Sequence, residues 1–173
     1  MKKRILSIIS ALTFLICLSV TPQIKATASD DLKMVDGSYL TMEESSTGTT
    51  NNTTRGIHLM DGECSITSAG FERIYAYAAT TANHEVDYLA VVIYVERYLP
   101  DKEVWGHVDA WVEEATDDYY VSTAKYLTVE PGYYYRVRAD HIVTKGDDAP
   151  EETFSATDGI FVKSRNTTTE PTN

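Results

Sequence analysis

Between residues 62 and 164 the chain alternates apolar and polar positions, segment after segment, with a period of two. Residues 63–69 place Cys64 and Ile66 on one face. Residues 73–79 set Ile74, Ala76 and Ala78 against Tyr75 and Tyr77. The run 88–98 is apolar on both faces, with Leu89, Val91, Ile93 and Val95 opposite Ala90, Val92, Tyr94 and Tyr98. Residues 104–115 alternate again, Val108, Ala110 and Val112 against Trp105, Asp109 and Trp111. Further strands are expected over 119–129, 133–144 and 153–162. Turn chemistry punctuates them: Pro100-Asp101-Lys102-Glu103, Asp117-Asp118, and the loop 145–150 with its Gly146 and Pro150. No stretch keeps a helical period, which excludes the βαβ classes. About seven short strands at this spacing predict an all-β, antiparallel sandwich.

The flanks read differently. Met1-Lys2-Lys3-Arg4 is a basic start, residues 5–20 are uncharged and apolar apart from Ser and Thr, and Ala26-Thr27-Ala28 offers a signal-peptidase site. Residues 1–28 are therefore expected to be a cleavable signal peptide, with cleavage after Ala26 as the alternative. A retained anchor would need an apolar run of about 20 residues, and Cys17 lacks the small residue a lipobox places before it. Residues 29–61 are mostly polar, and the Ser- and Thr-rich stretch 45–54 cannot build a core of its own. They are expected to form a flexible linker with a short strand near residues 39–42. Residues 62–164 form the sandwich domain in this reading, and 165–173 a disordered tail. Asn51, Asn52 and Asn166 stand in N-x-T sequons.

Loss of the signal peptide changes the electrostatics. The whole chain has 15 basic and 26 acidic residues. Lys2, Lys3, Arg4 and Lys25 leave with the leader, so the secreted part, with 11 basic and 26 acidic residues, carries a net charge of −15. Such a surface repels phosphate backbones and anionic headgroups, which argues against nucleic acid and against membrane once the signal is gone. Cys17 leaves too. Cys64 is then unpaired, and stability must come from burial; its alternation with Ile66 predicts a small buried hydrophobe rather than a nucleophile.

One segment is more specific. Val129-Glu130-Pro131-Gly132-Tyr133-Tyr134-Tyr135, running into Arg136-Val137-Arg138-Ala139, resembles the strand E–F corner of fibronectin type III domains. Pro131 and Gly132 turn the chain, and the resemblance puts the corner tyrosine at Tyr135, its hydroxyl bonded back to corner backbone and its ring in the core. It implies that Val137 and Ala139 face inward, that Arg136 and Arg138 face solvent, and that the sandwich is immunoglobulin-like. The leader, the Thr-rich stretch and the segment 134–141 (Tyr-Tyr-Arg-Val-x-Ala-x-His) together resemble small secreted all-β proteins of unknown function from Gram-positive bacteria. That likeness implies export and fold, and no activity.

Candidate chemistry is sparse. His58, His84, His107 and His141 show no ligand spacing, so no metal and no cofactor is expected, although a zinc site can assemble from distant residues in a fold. Residues 83–87 gather Asn83, His84, Glu85 and Asp87 in an expected loop. Acidic pairs at Glu113-Glu114, Asp117-Asp118, Asp147-Asp148 and Glu151-Glu152 lack a calcium-loop pattern, and fold analogy alone assigns them no glycosidase role. Lys145-Gly146-Asp147 is similar to an integrin-binding tripeptide, and is also ordinary turn chemistry. The 12 Tyr and 2 Trp are the most suggestive feature, because rings on a sandwich face supply contact area at low entropic cost. Two functions are expected from this: a secreted, non-catalytic binding or adhesion module for an extracellular protein or glycan, or a secreted hydrolase using loop carboxylates or histidines. A contiguous outward aromatic cluster favours the first; converging carboxylates with a raised pKa favour the second.

Overall fold

The computed structural model describes residues 32–50 and 56–164. The signal sequence, the three sequons and the tail 165–173 lie outside the described residues. The segments expected from alternation all appear: β4 (Leu59–Ser68), β5 (Arg73–Val86), β6 (Tyr88–Leu99), β7 (Val104–Ala115), β8 (Asp118–Thr128) and β9 (Tyr134–Thr144). The last expected strand breaks at Thr157-Asp158 into β10 (Glu151–Ala156) and β11 (Gly159–Phe161). Ahead of them come β1 (Met34–Val35), β2 (Ser38–Thr41) and β3 (Ser45–Thr49).

These strands form two sheets. One has the order β3-β4-β5-β8. The other runs β1-β2-β11-β9-β6-β7, with β10 pairing β9 off that path. Every pairing is antiparallel except β2 with β11. The protein is an all-β sandwich. Its core is the set of positions that alternation turns inward: Cys64 and Ile66 of β4, Ile74, Ala76 and Ala78 of β5, Leu89, Val91, Ile93 and Val95 of β6, with Val137, Ala139 and Val143 of β9. Fully burying each large aliphatic side chain contributes about 1.5–3 kcal/mol.

Three expectations need correction. Residues 29–61 are not simply a linker: besides β2, which is the short strand expected near 39–42, β1, β3 and the start of β4 lie within them. Polarity shows that a segment cannot build its own core, but it does not stop that segment from pairing with a core already present. β3 pairs along β4, and at Gly48 it comes so close to β10 that a Cβ would stand 2.0 Å from the Ala156 carbonyl oxygen. Second, Trp105 and Trp111 do not share a face. The β6–β7 register slips between Val95 and Glu96, leaving Val108 as the extra residue of a bulge, and such a bulge reverses the phase of alternation. Trp111 packs against the main core, whereas Trp105 joins a second, smaller core with Val35, Leu40 and Tyr98. Third, Arg136 does not point to solvent. It is 2% exposed, because β1, β2 and the Trp105 ring cover the outer face of β9 at that point.

At the corner, Gly132 takes a φ of +87°, a conformation that favours glycine, and its amide donates to the Val162 carbonyl at 2.8 Å. Pro131 precedes it, half-buried. Tyr135 is 1% exposed and its hydroxyl donates to the Glu130 carbonyl at 2.7 Å. Tyr135→Phe leaves that carbonyl short of a partner and should cost about 1–3 kcal/mol. Tyr134→Phe loses only a 3.8 Å contact with the Met42 sulfur and should cost much less. Denaturant melts of the two variants compare them directly; greater damage from Tyr134→Phe would place the wrong ring at the corner.

Candidate functional site

Alternation along β5 turns Tyr75 and Tyr77 away from the core, and the register with β8 sets Tyr75 opposite Tyr126. Their ring centroids lie 4.8 Å apart. The Arg73 guanidinium lies 5.1 Å from the Tyr126 centroid. Further along, the Tyr77 hydroxyl donates to Glu63 at 3.2 Å and sits 3.0 Å from the Tyr120 hydroxyl. Because the Tyr77 proton goes to Glu63, Tyr120 is the donor to Tyr77. Burial, and then the Tyr120 hydroxyl, push the Tyr77 pKa up, so it stays a neutral phenol. On the other side β4 supplies only Ser65 and Thr67 next to Tyr77 and Tyr75. The rings therefore stand above short neighbours, with Tyr126 60% exposed. The outer face of this sheet carries four tyrosines on two strands, as one ring pair (Tyr75 and Tyr126) and one hydroxyl pair (Tyr77 and Tyr120).

The second gathering of polar groups lies at one pole, where β4 begins, β5 and β9 end, and β6 and β10 start. Residues 83–86, expected in a loop, extend β5. Glu151 at the start of β10 accepts the amides of Ile57, His58 and Leu59. Burial by itself raises the Glu151 pKa, but the Leu59, His58 and Ile57 amides outweigh it and hold the carboxyl below its ordinary range. With its backbone clamped this way, His58 points Nδ1 at His84 Nε2, 3.0 Å away, and Nε2 at Asp148 Oδ2, also 3.0 Å away. Asp87 binds Lys145 Nζ and the Gly146 amide, each at 2.7 Å. These contacts fold the tripeptide 145–147 back onto the sandwich, and the Lys145 ammonium and then the Gly146 amide lower the Asp87 pKa.

His141 lies inside the sandwich, 0% exposed. Thr80 donates its hydroxyl proton to the Ala90 carbonyl at 2.9 Å and so accepts from His141 Nδ1, also at 2.9 Å. The neutral ring then takes the Ser155 hydroxyl proton on Nε2 at 2.8 Å. A serine–histidine pair of this kind is closed to any substrate, and its role is to satisfy a buried ring. Gly62 packs on it: a Cβ there would lie 2.4 Å from the imidazole. Cys64 is buried beside this group, and desolvation pushes its pKa up to about 11, which makes it a poor nucleophile.

The remaining candidates stay apart. His107 is exposed on β7. Glu114 accepts the Tyr88 hydroxyl at 2.7 Å, and Asp117 forms a turn at a φ of +53°. Among the described residues, every carboxylate whose pKa departs clearly from ordinary (Asp87, Glu103, Asp109 and Glu151) is lowered. Among the described residues no three His, Cys, Asp or Glu side chains gather at metal spacing. No helix there is long and apolar enough to cross a membrane.

The model of a family of unknown function, DUF6147, matches residues 31–160. The chain belongs to DUF6147. No curated protein and no solved structure matches it. The DUF6147 match opens at residue 31, so β1, β2 and β3 fall inside the family's span along with the alternating strands.

Sequence reasoning singled out the tyrosines as a class and could have paired them, since Tyr75, Tyr77, Tyr120 and Tyr126 sit on strands with predictable facing. The His58–His84 pair had no such signal. It depends on a clamp between residues 57–59 and Glu151, more than ninety positions away.

Proposed function

We propose that the protein is a secreted, non-catalytic binding or adhesion module whose contact surface is the outer face of β5 and β8. The observation that carries this reading is the set of two tyrosine pairs, Tyr75 with Tyr126 and Tyr77 with Tyr120, on one outward sheet face. Rings held by a neighbouring ring, as Tyr75 and Tyr126 are, or by hydroxyl bonds, as Tyr77 and Tyr120 are, lose little freedom on binding and offer flat apolar area with a polar rim, which suits a sugar ring or a protein surface. The leader-like residues 1–28 support export, and the acidic surface supports a partner that is neither nucleic acid nor membrane. The strand order β4-β5-β8 against β7-β6-β9-β10, with the Tyr135 corner between β8 and β9, supports the finer reading of an immunoglobulin-like, fibronectin type III-like sandwich. The hydrolase alternative has less support, because the carboxylates with shifted pKa are lowered and the serine–histidine pair of Ser155 and His141 is sealed.

The test is a binding screen of the secreted chain against defined glycans and extracellular matrix or envelope proteins. For a ligand so found, Tyr126→Ser combined with Tyr75→Ser should weaken retention at least tenfold while leaving the melting temperature close to that of the parent. Retention that survives this change, but fails when Asp87 or Lys145 is replaced, would move the surface to the loop pole.

A further inference from the structure

We propose that His58 and His84 form a two-histidine site for a divalent transition-metal ion at the loop pole. The two ring nitrogens that face each other, His58 Nδ1 and His84 Nε2, are 3.0 Å apart, and the rings stand at 82° with centroids 5.1 Å apart. Two imidazole nitrogens on one tetrahedral ion, each at about 2.0–2.1 Å, are separated by roughly 3.3 Å. The pair is therefore within a few tenths of an ångström of the span an ion requires, and a small pivot of the exposed His84 supplies the rest.

The other end of His58 has the form that metal ligands use. A coordinating histidine characteristically gives its second ring N–H to a carboxylate, which sets the tautomer and raises the basicity of the coordinating nitrogen. His58 Nε2 is 3.0 Å from Asp148 Oδ2, so its proton sits on Nε2 and Nδ1 keeps a lone pair toward His84. His58 is 7% exposed and its backbone is pinned by the Glu151 carboxylate. One ligand is thus rigid and preoriented, while the other, His84, is exposed and adjustable. Without an ion, one proton lies between the two nitrogens. On binding, that proton passes to Nδ1 of His84, its Nε2 lone pair turns to the metal, and no net charge leaves the site. Two positions remain for water or for a donor group on a bound partner. Imidazole donors select copper(II) and zinc over calcium and magnesium, with copper(II) held more tightly.

Calorimetric titration of the EDTA-stripped, purified chain with copper(II) chloride and zinc chloride tests this. The expected result is one ion per chain, unaffected by millimolar magnesium, with a copper(II) spin-resonance spectrum showing two nitrogen ligands. His84→Ala, at an exposed position, should weaken binding at least tenfold without changing the melting temperature in EDTA. Asp148→Asn should weaken it by about tenfold, the lower end of what outer-shell changes produce. Equal binding by the parent and His84→Ala, or displacement of the ion by magnesium, would overturn the proposal in favour of the surface carboxylates. Loss of glycan or protein retention in the Tyr75/Tyr126 variant leaves this result untouched, so the two readings fail separately.

Discussion

Arg136→Ala should lower stability by about 3 kcal/mol, the low end of the effect of removing one partner from a buried ion pair. Arg136 belongs by parity to the outer face of β9, yet it is among the most buried charged groups of the protein. Its Nε donates to Glu96 at 2.7 Å, one terminal nitrogen to the Asp36 carbonyl and the Ser38 hydroxyl, and the other to the Asp36 carboxylate at 2.8 Å. The guanidinium also lies 4.6 Å from the Trp105 ring centroid, and the Trp105 indole N–H donates to the Val35 carbonyl at 2.9 Å. One planar fork thus ties β1 and β2 to β9 and β6. Alanine removes the fork and leaves Glu96 with an uncompensated, largely covered charge. Lysine keeps the charge but cannot reach these partners in one plane, so Arg136→Lys should recover less than half of the loss. Arg138→Ala, two residues along on the same face, should cost under about 1 kcal/mol, because its pairing with Asp140 is half-exposed and 3.7 Å long. Chemical denaturation compares the three, and hydrogen exchange should show Ser38–Thr41 opening first in Arg136→Ala. Equal losses at 136 and 138 would sink the view that the fork holds the N-terminal strands.

Acidification should destabilise the sandwich before its carboxylates titrate. Burial holds the His141 pKa down at about 4, against an ordinary 6.5, and its two ring nitrogens are already committed to Thr80 and Ser155. The folded-state pKa lies below the unfolded one, so the unfolded chain takes up the proton first. Stability is whole above pH 6.5 and falls as pH drops from there toward 4. The loss attributable to this ring is about 2 kcal/mol by pH 5. Lowered carboxylates such as Asp87 and Glu151 act in the same direction but at lower pH, so the interval between pH 5 and 6.5 excludes them, and comparison with a variant at 141 separates this ring from the other three histidines. His141→Gln, which cannot titrate, should be less stable at pH 7 and nearly flat across that interval. Urea melts in EDTA at half-unit steps measure both slopes. A parent slope as flat as that of the glutamine variant would show that the ring is already charged in the fold, or that it finds water.

Facing along a strand is a local property. Successive side chains point to opposite sides of the backbone, so the order of residues alone places Cys64, Ile66, Ile74, Leu89, Val91, Ile93 and Val95 in the core and Tyr75 and Tyr77 on the outside. The contact of the Tyr135 hydroxyl with the Glu130 carbonyl is local in the same way, since it reaches only five residues back across the turn at Pro131 and Gly132. Trp105 escaped this logic because the Val108 bulge, whose position depends on how β7 meets β6, reverses the alternation between it and Trp111. Arg136 escaped it because a side chain can leave one sheet face and still be buried if another segment lies across it, and that segment, β1 and β2, read as a linker with one short strand that had no assigned place on the sandwich. The His58–His84 pair and the His141 network join residues 26 to 90 and 14 to 61 positions apart. Alternation therefore determined which side of each strand meets the core, and tertiary structure alone decided which distant groups meet there, because pairing across sheets is set by register and closure rather than by neighbours in the chain.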